Sequence, residues 1–393
     1  MSSDPVVILS ARRTPIGAFR GVFANVTAPQ LGAAAIRAAL ADSGVGASEI
    51  EEVIMGCVLS AGLGQAPARQ AALGGGIPAA VPTTTVNKMC GSAMRAVMLA
   101  ADQILAGSAR YALAGGLESM SNAPYLLPKA RTGYRMGHQE VLDHMFYDGL
   151  QSPWDGQLMG CFAEATSGKY EFSRKEQDDF AADSARKAQA AVAGGAFALE
   201  IAPVTAKSRK GETLIDRDET PGQVDVAKIP SLKPAFKKDG TVTAASSSSI
   251  SDGAAALVLT RASTAAAQGR KPIARIVGYT SFAREPEWFT LAPVGAMQKL
   301  LERLEWKARD VDLWEINEAF AVVAMAAIRD LGLDAAKVNV NGGATALGHP
   351  IGATGARILT TLIHALKARG QRRGIASLCI GGGEATAIAV EAL

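Results

Sequence analysis

The chain has 393 residues, a net charge of +3 and 48% apolar side chains, with few aromatics and much Ala and Gly. That length exceeds what one hydrophobic core usually serves, so two or more core units are expected. The weak charge excludes a typical nucleic-acid binder, which concentrates a basic stripe, and no apolar run is long enough to span a membrane.

The chain opens on "MSSDPVVILSARRTP". An acidic residue ahead of so short an apolar run does not read as a secretory signal. "PVVILSA" reads as the first strand. A helix follows from Thr27, where Gln30 completes a capping box, and ends near Gly44. "IEEVIMGCVL" is the next strand region. "GLGQ" and "GGGIP" are glycine-rich but match neither a dinucleotide fingerprint nor a phosphate loop.

In "VNKMCGSAM", Cys90 stands just ahead of a helix that Gly107 closes. A helix N-terminus offers unpaired N–H groups and partial positive charge, and both favour a thiolate. Cysteine is also among the most buried residue types, so Cys90 reads either as a nucleophile or as a packed small side chain. "YALAGG" is the strand that follows.

Residues 120 to 248 break the alternation of strands and helices. Ser173 and Glu176 form a second capping box ahead of a helix. The rest is rich in Gly, Pro and charge and ends in the low-complexity run Ser246 to Ser249. An insertion of this size usually serves as a lid or a ligand-binding lobe. His138 and His144 lie in its polar part and read as surface residues. Lys207, Arg209 and Lys210 form a short basic cluster that suits a phosphate or a solvated loop.

The second half repeats the order of the first. "DLWEIN" is a strand. "EAFAVVAMAAIRDLG" is a helix, with Asn317 as its N-cap or as the holder of a water. "KVNVNGG" is a strand, and a glycine-rich turn then carries His349. "GATGARILTTLIHALKARG" is a helix with His364 on it, and "IASLCIGGG" is a strand ending in glycines. Cys90 and His349 thus occupy equivalent turns of a duplicated α/β pattern. Cys379 ends a strand, where α/β proteins place ligands. The four cysteines, 57, 90, 161 and 379, show no metal spacing and read as free thiols of a reducing cytoplasm.

The stretches "RTPIGAFRG", "GQAPARQAA", "VNKMCGSAM", "GGLESMSNAPYL", "SDGAAALVL", "NEAFA", "GGATALGHPIGATGAR" and "CIGGG" come in an order that resembles the thiolase family and span nearly the whole chain. The resemblance implies an α/β fold of two duplicated βαβαβαββ halves in five layers, αβαβα, with an inserted loop domain. Residues 1–119 with 249–271 would form the N-terminal half, 120–248 the loop domain for coenzyme A binding and oligomer contacts, and 272–393 the C-terminal half. It implies a homodimer or homotetramer that binds no nucleic acid, membrane, metal or resident cofactor, with CoA and acyl-CoA thioesters as substrates.

It also implies residue roles. Cys90 matches the acylated nucleophile, His349 its base, Cys379 the second acid/base, Asn317 the holder of a water beside His349, and Gly381 a backbone donor. Ser248, Phe236, Met159 and Phe320 match contacts to the CoA arm or acyl group. The reaction implied is condensation of two acetyl-CoA to acetoacetyl-CoA, or its reversal. The alternatives are a degradative thiolase for longer 3-ketoacyl-CoA, a decarboxylating condensing enzyme and a non-catalytic CoA- or lipid-binding protein.

The chain departs from the short-chain biosynthetic pattern in four places. Leu158 stands where a histidine is usual, Ser246 where an asparagine is usual, and Phe289 near the expected acyl pocket. A loop-domain arginine is absent around 221–226.

Overall fold

The computed structural model describes residues 4–208 and 211–393. Arg209 and Lys210 of the basic cluster lie outside the described residues.

The first half contains β1 (Val6–Arg13), α1 (Ala28–Ser43), β2 (Glu52–Gly56), α2 (Pro67–Gly74), β3 (Thr83–Val86), α3 (Ser92–Ala106) and β4 (Tyr111–Ser119). After the insertion it is completed by β5 (Ser251–Arg261). The second half contains β6 (Ala274–Ala283), α4 (Ala292–Leu304), β7 (Leu313–Ile316), α5 (Ala321–Leu331), α6 (Thr354–Ala368), β8 (Arg373–Ile380) and β9 (Glu384–Ala392).

The strands share one path, β7-β8-β9-β6-β1-β5-β4-β2-β3, and Gly17–Ala18 adds a short tenth strand against β5. Within the sheet the two halves meet at a narrow seam, where Val7 and Ile8 of β1 pair with Arg275 and Ala274 of β6, and α3 and α6 pack together across them. Four strands pair in the same way within each half. β2 runs parallel to β4, and β4, β5 and β1 continue antiparallel. β7 runs parallel to β8, and β8, β9 and β6 continue antiparallel. The duplication read from the sequence is therefore present in the hydrogen bonding itself.

Side-chain alternation makes the layers. In β5, Ala255, Leu257 and Leu259 face the central helices α3 and α6, while Ala254, Ala256 and Val258 face α1 and α2. In β9, Ile388 and Val390 face the centre, and Ala385, Ala387 and Ala389 face α4 and α5. α6 lies between two sheet faces, so it is buried nearly all round, with Ile358, Leu359, Leu362 and Ile363 fully enclosed. Each such side chain contributes about 1.5–3 kcal/mol.

Both capping boxes form. Thr27 accepts from Gln30 N, and Ser173 from Glu176 N. Ser173→Ala is expected to cost about 1 kcal/mol, read as a lower urea midpoint with an unchanged slope.

Two expected elements differ. "KVNVNGG" is not a strand, because only Val338 bridges Trp314. The chain then turns at Asn339, whose φ is 46°. The Asn339 amide takes the place of a strand neighbour: its Oδ1 accepts from Ile316 N at 2.8 Å and its Nδ2 donates to Ile316 O at 2.9 Å. The helix of "EAFAVV" begins at Ala321, so Asn317 is not its N-cap. Phe320 is extended and bridges Ser247, and Glu318 is held by Asn339, Thr345 and Ser184, which keeps 317–320 out of helical geometry.

The insertion carries a further helix, Met159–Tyr170, besides the expected Arg174–Ala193, and a hairpin of Val204–Ser208 with Gly211–Ile215. Among the described residues no helix is long and apolar enough to cross a membrane.

Candidate active site

Cys90 sits in the turn between β3 and α3. Met89 adopts φ 46°, and Gly91 N and Ser92 N donate back to Lys88 O and Met89 O, each at 3.0 Å. A left-handed methionine costs on the order of 1–3 kcal/mol and persists only where its surroundings impose it. Here a Cβ on Gly91 would lie 2.4 Å from Ile380 Cδ1, so this turn is pressed against the end of β8. An ion pair of Lys88 with Glu384 crosses the same gap. The half-buried Cys90 lines an apolar cavity of about 210 Å³, together with His349 and Gly381.

Burial pushes the Cys90 thiol up to about 11, against the pull of N–H groups of Gly381 and of Cys90 itself directed at its sulfur. The thiol therefore rests protonated, yet two donors already point at the charge that would form.

His349 occupies the equivalent turn ahead of α6. Its Nδ1 meets Thr354 Oγ1 at 2.6 Å, and Thr354 Oγ1 donates to Pro350 O at 2.9 Å. The hydroxyl proton is thus committed to Pro350, so Nδ1 carries the ring proton and Nε2 has a free lone pair. Nε2 is buried with no protein partner. Burial, helped by the Arg357 guanidinium, pushes His349 down to about 3. A neutral imidazole at physiological pH is the form that can accept a proton.

Cys379 ends β8 and is fully buried. Burial raises its thiol well above the usual value, and the charge of neighbouring Cys90 raises it further. Asn317 is 1% exposed, and both its amide atoms lack a protein partner. Leaving a buried amide unpaired costs about 1–3 kcal/mol, a cost that a structural N-cap would not carry.

Six other expected residues, Leu158, Met159, Phe236, Ser248, Phe289 and Phe320, line the cavity with Cys90, His349 and Gly381, whereas Cys379 and Asn317 are not among its lining residues. Phe289 packs edge-on against Phe162 and Phe320 edge-on against Phe236, with ring centres 6.2 and 5.9 Å apart. The serine run is an ordered support. Ser248 N donates to Ala319 O, Ala321 N to Ser246 O, and His349 N to Ser249 O.

His144 is buried, not a surface residue: its Nδ1 meets Asp148 Oδ2 at 2.6 Å, and its Nε2 accepts from Ala61 N. His138 is exposed, and His364 meets Ala11 O at 3.0 Å from its helix. Sequence reasoning missed Thr354 and the wall residues Met120, Phe146, Leu150, Ile250 and Ile351. Among the described residues no cluster of three or more His, Cys, Asp or Glu is arranged to hold a metal ion.

Two family models match the chain, "Thiolase, N-terminal domain" over residues 6–263 and "Thiolase, C-terminal domain" over residues 270–392. The acetyl-CoA acetyltransferase of Cupriavidus necator is 50% identical over 98% of this chain and 99% of its own length. That of Pseudomonas aeruginosa is 49% identical over 98% of both chains. The crystal structure of the Bacillus anthracis acetyl-CoA acetyltransferase superposes with a TM-score of 0.97 at 43% identity, covering 99% of both chains. Acat5 thiolase from Ascaris suum, in complex with coenzyme A, gives 0.94 at 43% identity over 99% of this chain and 100% of that one. With both family models matched and the duplicated fold superposing throughout, the chain belongs to the thiolase family.

Proposed function

We propose that this protein joins two molecules of acetyl-CoA to acetoacetyl-CoA and CoA, reversibly, through an acetyl group carried on Cys90. The observation that carries the reading is the convergence of Cys90, the Gly381 N–H aimed at its sulfur, and the buried, free Nε2 of His349 in one apolar cavity. The near-50% identity to acetyl-CoA acetyltransferases over almost the full chain supports the acetyl substrate.

In this reading His349 takes the Cys90 proton, and the thiolate attacks the thioester carbonyl. The N–H groups of Cys90 and Gly381, which favour the Cys90 thiolate once it forms, bind the oxyanion that follows. One such donor is worth about 3 kcal/mol of barrier. The departing CoA thiolate takes the Cys90 proton from His349. With Cys90 acetylated and uncharged, Cys379 passes its own proton to His349 Nε2 and as a thiolate removes an α-proton from a second acetyl-CoA, while the protonated His349 and a water held by Asn317 donate to the enolate oxygen. The enolate carbon attacks the acetyl group, and the Cys90 thiolate it releases takes its proton back from His349. CoA thioesters enter as substrates, and no resident cofactor or metal takes part. We place the enzyme in the cytoplasm, in fatty acid metabolism, as a homo-oligomer, with a homotetramer favoured.

Phe289, buried and braced by Phe162, narrows the acyl side of the cavity and supports a short chain. The cavity walls are otherwise apolar, and Leu158 is among them, which also suits a longer 3-ketoacyl chain. A thiolysis series over chain length decides between the two. The expected optimum is acetoacetyl-CoA, and an optimum beyond four carbons would overturn the acetyl preference.

A further inference from the structure

Glu118 ends β4 with its carboxylate fully buried. Among the described residues no cation pairs with it. It accepts instead from the backbone N–H groups of Val58 and Leu59, each at 3.1 Å, and of Gly352 at 2.7 Å, and Cys57 Sγ lies 3.8 Å away. Burying a carboxylate costs several kcal/mol, and three charge-assisted bonds are what offsets it.

The three amides back two different parts of the catalytic cavity without lining it: Val58 and Leu59 pack against the wall residues Met120 and Ile351, and Gly352 follows Ile351 in the chain. Met145 completes the cluster around Val58 and Leu59, and Cys90 rests on it. Gly352 lies three residues after His349, in the turn of the opposite half. That turn is seated very closely. A Cβ on Gly352 would fall 2.4 Å from Glu118 Oε2, and one on Gly116 would fall 2.2 Å from Gly352 O. There is room for backbone against backbone, with the carboxylate sealing the join.

We propose that Glu118 is a positioning residue, whose carboxylate docks the turn carrying His349 onto the first half and so fixes the base relative to Cys90. Nothing in the condensation itself uses Glu118. Its charge is nevertheless felt at the nucleophile, where it disfavours the Cys90 thiolate. Burial pushes Glu118 itself up to about 7, opposed by the N–H groups of Leu59, Val58 and Gly352. The titratable groups around it are Cys57 and Cys90, His349 on the docked turn, Asp252 on the paired strand β5, and His144 with Asp148 beside the 58–59 wall.

The inference rests on the proposed roles of Cys90 and His349, and its test is chosen to fail separately from them. Glu118→Gln and Glu118→Asp are compared with wild type at pH 8, once circular dichroism has checked that each is folded. Thiolysis of acetoacetyl-CoA is expected to lose about 10- to 100-fold in kcat in both variants, as for a base displaced by a fraction of an ångström, with KM nearly unchanged. Iodoacetamide alkylation of Cys90 needs no turnover. Its pH profile is expected to move to lower pH in Glu118→Gln, which lacks the charge, and to stay in place in Glu118→Asp, which keeps it. Wild-type kcat in both variants, with only a lowered unfolding temperature, would overturn the proposal, and so would an unmoved alkylation profile in Glu118→Gln.

If neither variant folds, hydrogen exchange of wild type decides. The peptide spanning Gly352 is expected to gain protection, relative to flanking peptides, as pH falls from 8.5 to 6, because the docked Glu118, raised to about 7, takes up a proton that an undocked, solvated carboxylate would not. Equal relative protection at both values overturns the docking role.

Discussion

Cys90→Ala is expected to abolish condensation and thiolysis together, by roughly four orders of magnitude or more, as removal of a covalent nucleophile does elsewhere. The side chain occupies a turn that is held by its own backbone hydrogen bonds and by the end of β8, not by the sulfur, so little else moves when the sulfur is removed. The substitution leaves an unstrained methyl, and the fold should survive. Intact mass after incubation with acetyl-CoA should show an acetyl adduct on wild type and none on the variant. A normally acetylated variant would sink the assignment of Cys90. The same measurement separates an enzyme from a CoA-binding protein on this fold: a mere binder leaves wild type unacetylated and loses no function to iodoacetamide.

The geometry also explains why the thiol can rest protonated near pH 7 without loss of function. A half-buried Cys90 raised to about 11 is a poor nucleophile alone. A neutral His349, held by Thr354 in the tautomer with Nε2 free, is the acceptor it requires. Burial depresses the protonated imidazole, lowering His349 to about 3. The free-enzyme rate should therefore show no acid limb from His349 between pH 5 and 8. An acid limb in that range has to come from another group, and Glu118, at about 7, is the buried carboxyl closest in role.

Much of the site was legible because its chemistry sits at punctuation marks. Cys90 precedes a helix, His349 stands between glycines, and Cys379 ends a strand before three more. The duplicated order of strand, turn and helix was legible because local apolar runs set it. The supports were not legible, because they depend on side-chain contacts that local apolar patterns and turn residues do not encode. Thr354 fixes the His349 tautomer from five residues away, on the far side of a turn. Asn339 replaces a strand with its own amide, so "KVNVNGG" carries a strand pattern without forming the ladder. Asn317 looks like a cap because asparagine favours caps, while its neighbour Glu318 is tied to three other segments and prevents that. His144 sits in a polar stretch that reads as surface, but the segment packs back over the cavity wall. The serine run resembles a linker in composition, yet its backbone stitches the Asn317 segment to the His349 turn.

Cys379→Ser is expected to separate the two half-reactions. Acetylation of Cys90 uses His349 and the Gly381 N–H, and neither is altered, so the adduct should still form from acetyl-CoA. Carbon–carbon bond formation should fall by about 10²–10⁴, the usual contribution of a positioned acid or base. The reason lies in the order of charges. Burial holds the Cys379 proton tightly, and a thiolate on Cys90 holds it more tightly still. Once Cys90 carries an acetyl group it can bear no charge, and this obstacle to ionising Cys379 disappears. The second thiol thus becomes a usable base only after the first is acylated, which keeps α-proton removal from preceding the step that needs its product. A serine hydroxyl is a far weaker acid than a thiol, so the same relief cannot make it a base. The acetyl-enzyme should then accumulate in the variant on mixing with acetyl-CoA and be discharged only slowly to acetoacetyl-CoA. A condensation rate near wild type would remove Cys379 from the carbon-acid step, and loss of the adduct would place it in acylation instead.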